Sequence, residues 1–115
     1  MIDDSSIGVV LKVYRPERST LIGLLERLGA EAWQLPTECP EYTVKGVATH
    51  ILGDDLSLLS RQRDGAEQGL SLLRRELPDA DVRTLPDAFN DRWVSAGEFL
   101  STKLLVELLG FAGAP

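Results

Sequence analysis

A single cysteine, Cys39, leaves the chain without the means for an internal disulfide, so a fold stapled by cross-links is excluded. Histidine is as scarce. His50 stands alone, with no CxxC and no HExxH pattern beside it, so none of the common complete zinc motifs is written here. Aromatic residues are only 6% of the chain while leucine is abundant, which favours helices with aliphatic stripes over sheets. No apolar run approaches the roughly 20 residues that cross a bilayer, and no charged and then apolar leader opens the chain. A membrane role is therefore not expected, and the cytoplasm is the expected compartment. Basic residues are few as well: 12 are scattered among 18 acids, for a net charge of -6. A nucleic-acid surface needs clustered Lys and Arg to displace counterions, so nucleic acid is not an expected partner.

What is present is helical periodicity in a chain whose 115 residues suit one domain, read as residues 1–115. Residues 1–14 include Ile7, Val9, Val10, Leu11 and Val13, a pattern that periodicity assigns to neither helix nor strand. From Pro16 to Leu28 the spacing of Leu21, Leu24, Leu25 and Leu28 predicts a helix, with Pro16 at its first position. Pro36 and Pro40 bracket Thr37, Glu38 and Cys39, which makes a rigid loop. Thr43 then caps a second helix, Val44 to Arg63, closed by Asp64 and Gly65. Ala66 to Pro86 reads as connection, with a turn or two of helix available from Leu70 to Leu77. A third helix is expected over Ala88 to Leu109, with Phe89, Trp93, Ala96, Leu100, Leu104, Leu108 and Phe111 on one face. Ser101 offers an alternative cap inside it. Trp33, Pro36, Ile51, Leu58, Trp93 and Leu104 are the expected buried residues, because stripes on separate helices must face one another.

His50 is the leading site candidate. Asp54 follows one turn later on the same face, where the two side chains can share an ion or a hydrogen bond. Asp55 projects into the apolar stripe of Val44, Val47, Ala48, Ile51, Leu58 and Leu59, so its carboxylate needs either an Arg from a neighbouring helix or a place near a metal. Cys39 has no flanking basic residue to lower its pKa and reads as structural. Arg61, Arg63, Arg74 and Arg75 can meet an anion or complement helix ends, the second reading being that of a solvated face. Trp33 and Trp93 suit core packing.

The run Trp33-Gln34-Leu35-Pro36-Thr37-Glu38-Cys39-Pro40-Glu41-Tyr42-Thr43, continuing through His50-Ile51-Leu52-Gly53-Asp54-Asp55-Leu56 to Arg61-Gln62-Arg63-Asp64-Gly65, resembles the N-terminal metal-binding domain of the mycothiol-dependent maleylpyruvate isomerase family, within the DinB-like superfamily. Asn90 to Val94 and Leu104 to Leu109 extend the likeness. The resemblance implies an all-α, DinB-like four-helix bundle and a divalent metal, usually zinc, held by the histidine matching His50 and by a Glu and a His of an ExxxH motif on a later helix. Mycothiol is the implied thiol cofactor, serving a small-molecule substrate. Three departures stand out: no ExxxH occurs, Tyr42 replaces the usual tryptophan, and Gly46 stands where an acid would complete a capping box with Thr43. The expectation is a truncated bundle with an incomplete site, or a noncatalytic helical interaction module. Three amphipathic helices without a fourth leave an apolar groove, to be covered by a second copy in a homodimer or by Ile7 to Val13.

Overall fold

The computed structural model describes residues 18–37 and 42–113. Among them the chain is helical without a strand: α1 (Arg18–Glu26), a 3-10 turn (Ala32–Gln34), α2 (Val44–Asp64), α3 (Gly69–Glu76), α4 (Leu85–Gly97) and α5 (Thr102–Gly113). The undecided segment Ile7 to Val13, the Pro16 start of the first helix, and Cys39 with Pro40 lie outside the described residues.

Helix α2 organises the rest, and its ends are set locally. The Thr43 hydroxyl accepts from the Gly46 amide at 3.1 Å, and Gly65 closes the other end in the left-handed conformation at φ 70°. Both devices satisfy backbone groups that a helix end leaves open. The loop into Thr43 is pinned by a bridge between Pro36 and Thr43 and by the Val44 amide donating to the Leu35 carbonyl at 2.9 Å. The two sides of α2 then pack differently. Val44, Ala48, Ile51 and Leu52 join Leu21 and Leu25 of α1 and Leu105, Leu109 and Ala112 of α5 in one core, with Trp33 of the 3-10 turn at its end. The other side is made of small residues and receives α4. A Cβ on Gly53 would lie 2.4 Å from the Trp93 ring, and one on Gly97 would lie 2.1 Å from Thr49. Glycine at these points is a condition of the close approach. Helix α3 then packs against α4.

The single expected helix from Ala88 to Leu109 is two helices. The amides of Glu98, Phe99 and Leu100 turn back to carbonyls three residues earlier, and the Ser101 hydroxyl accepts from the Leu104 amide at 3.0 Å to start α5. The interruption resets the helical phase. Leu105, Leu109 and Ala112 become the inward face, and Leu104, expected inside, is 42% exposed. Helix α5 packs on both α1 and α2. Pro36 and Leu58 are likewise exposed, the first on the loop surface and the second at the mouth of a cavity. Trp33 and Ile51 are buried as expected, and Trp93 is half-buried against Gly53.

Candidate functional site

His50 and Asp54 project from α2 away from the core shared with α1 and α5. Nε2 of His50 stands 3.5 Å from the Asp54 carboxylate, longer than a good hydrogen bond. The other ring nitrogen, Nδ1, is buried without a hydrogen-bond partner. A buried orphan acceptor or donor of this kind costs about 1–3 kcal/mol. A carboxylate beside one ring nitrogen, with the other nitrogen open, is the arrangement in which a ligand histidine is commonly held.

Asp55 goes elsewhere. It forms an ion pair with Arg18 of α1, with both side chains about four-fifths buried. Of the two readings left open for this carboxylate, the arginine partner is the one observed. The signal for Arg18 lay in its spacing, since Arg18, Leu21 and Leu25 fall on one face of α1 and the latter two are core residues. A second nitrogen of Arg18, Nη1, is buried without a partner, and the stem of the side chain covers Gly113.

A cavity of about 380 Å³ opens next to the pair, lined among others by Asp54, Asp55, Leu58, Arg61, Leu70 and Phe89. The other arginines singled out in the sequence are spent locally. Arg63 donates to both oxygens of Asp64, and those hydrogen bonds hold the exposed Asp64 carboxyl below its ordinary pKa. Arg75 grips Glu67 through two contacts of 2.8 Å, and Arg74 donates to the carbonyls of Pro78 and Ala80. This is the solvated-face reading. Of the departures in sequence, Tyr42 has a use in the fold: its hydroxyl donates to Asp91 of α4 at 2.7 Å. A Cβ on Gly46 would sit 3.2 Å from that of Tyr42 and 3.4 Å from Val94, so a larger residue would press against α4.

Among the described residues no three His, Cys, Asp or Glu side chains cluster as metal ligands. A catalytic zinc takes about three protein ligands, so His50 and Asp54 do not make one by themselves, and Asp55 is engaged by Arg18. No described helix is long and apolar enough to cross a membrane.

The all-helical bundle of the described residues is that of a DinB-like helical domain. The chain belongs to the family of the mycothiol maleylpyruvate isomerase N-terminal domain, whose model matches residues 14–110. The match spans α1 to α4, most of α5, and both His50 and Asp54. No curated protein and no solved structure gives a significant match.

Proposed function

We propose that the domain serves thiol-dependent isomerase or transferase chemistry as a metal-holding helical module, with His50 as the ligand this stretch contributes and mycothiol as the thiol. The observation behind this reading is the unpartnered, buried Nδ1 of His50, with Asp54 placed to orient the ring. The cavity beside Asp54 offers room for a small substrate. Two side chains are a partial ligand set, so no reaction step is assigned to them. Titration with zinc, followed by calorimetry and metal analysis after desalting, is the test. Weak binding that disappears in His50→Ala supports the reading. Binding unchanged in that variant removes His50 from the site, and tight stoichiometric binding lost in the variant would reveal further donors.

A second reading, a noncatalytic interaction module that forms a homodimer, is favoured by α5. Leu104, Leu108 and Phe111 share a face beside the buried one, and Phe111 is 62% exposed. Two copies related by a two-fold axis would pair this stripe with itself. Sedimentation at micromolar concentration is expected to give a dimer that Phe111→Glu converts to a monomer. A wild-type monomer would remove this reading.

A further inference from the structure

Apart from the His50 pair, the structure holds a second concave site. Helix α3 leans against α4 across α2, and between the three lies an apolar cavity of about 520 Å³. That volume falls within the roughly 300–1,000 Å³ of small-molecule sites. Its walls include Leu56 of α2, Leu72 and Leu73 of α3, and the edge-to-face pair Phe89 and Trp93 of α4, whose ring centroids are 6.4 Å apart. The first turn of α3 rests directly on Phe89, since a Cβ on Gly69 would come within 2.4 Å of the ring.

Two charged residues line the cavity, Glu67 and Arg92, and they are not equivalent. Both oxygens of Glu67 are taken by the two terminal nitrogens of Arg75. Arg92 gives Nη1 to Glu76 at 2.6 Å, which engages one nitrogen of a guanidinium that carries five N–H donors. Arg75 thus engages each oxygen of the acid once, while the base retains donors. An apolar, aromatic-walled cavity with cationic donors at its edge selects for ring or branched apolar matter bearing an anionic group.

We propose that the cavity between α2, α3 and α4 is a binding site for small aromatic or branched-chain organic anions, with the ring between Leu72, Phe89 and Trp93 and the anionic group on Arg92. This site includes neither His50 nor Asp54 and does not depend on a metal, although Ser57, Gly69 and Phe89 also line the cavity beside Asp54. The probe is 8-anilinonaphthalene-1-sulfonate, compared with N-phenyl-1-naphthylamine, which has the same rings without the sulfonate. Fluorescence titration of the full chain is expected to give one saturable sulfonate site, with amide and indole NMR shifts centred on Phe89 and Trp93, and weaker binding of the neutral amine. Arg92→Gln is expected to weaken the sulfonate about tenfold and leave the amine unchanged, as loss of a charge-assisted contact requires. Glu76→Gln frees the guanidinium fully and is expected to hold or strengthen sulfonate binding. Ala96→Trp, at an exposed position on the cavity wall, fills the space without touching the core and is expected to abolish binding of both probes. Near-UV circular dichroism verifies that each variant is folded. The proposal is overturned by absence of saturable binding to the folded chain, by equal affinity for the two probes, by sulfonate affinity unchanged in Arg92→Gln, or by binding that survives in Ala96→Trp.

Discussion

The ion pair of Arg18 with Asp55 joins the start of the described part of α1 to the middle of α2, and both side chains lie mostly out of water. A charge in that position is costly without its partner, whereas a neutral amide can still accept a hydrogen bond. Arg18→Ala is therefore expected to destabilise the fold by about 1–3 kcal/mol, and Asp55→Asn by less, in urea unfolding followed by far-UV circular dichroism. A loss in Arg18→Ala with none in Asp55→Asn would mean that packing of the arginine stem on Gly113, not charge, holds the contact. Asp55 also illustrates how far residue-level reading reaches. Its position inside the stripe of α2 demanded a partner, and the type of partner followed, but the identity of Arg18 required knowing that α1 lies across that part of α2.

Glycines in the helices divide by what faces them. Gly23 of α1 has nothing within 4 Å of where a Cβ would stand, while Gly53 of α2 is covered by the Trp93 ring. Gly23→Ala is expected to stabilise by about 0.5–1 kcal/mol through helix propensity alone. The same change at Gly53 gains that propensity but forces Trp93 away, with a net loss of about 1–3 kcal/mol. Thermal melts of the two variants should shift in opposite directions. A shift of the same sign would show that α4 does not approach α2 as closely as described. At this scale the sequence was most informative where a cap or a breaker marks an end, as at Thr43 and Gly65. It was least informative between Gly97 and Ser101, because the apolar spacing runs through the break and Leu104 fits the stripe of α4 as well as Leu105 fits that of α5. Local hydrogen bonds at Ser101 resolve the ambiguity.

At the scale of the molecule, the described residues form a core of α1, α2 and α5, with α4 and α3 added in turn on the far side of α2. Leu105 is fully buried in that core and Leu104 is its exposed neighbour. Leu105→Ala should cost about 2–5 kcal/mol in chemical unfolding, and Leu104→Ala well under half as much. The reverse order would restore the uninterrupted helix. The sequence by itself determined the helical class, the extent of α2 and the membership of the family, because these depend on caps, periodicity and motif order, all of which are local along the chain. It also singled out His50 and Asp54, whose four-residue spacing brings them together on any helix. Only the tertiary structure decided which leucines are inside, that Arg18 answers Asp55, that the His50 Nδ1 is buried without a partner, and that α3 and α4 enclose a cavity with Arg92 at its edge. Each of these depends on the phase and placement of one helix against another, and a change of one residue in a connection such as that at Ser101 rotates a face by about 100° without altering the apolar pattern by much.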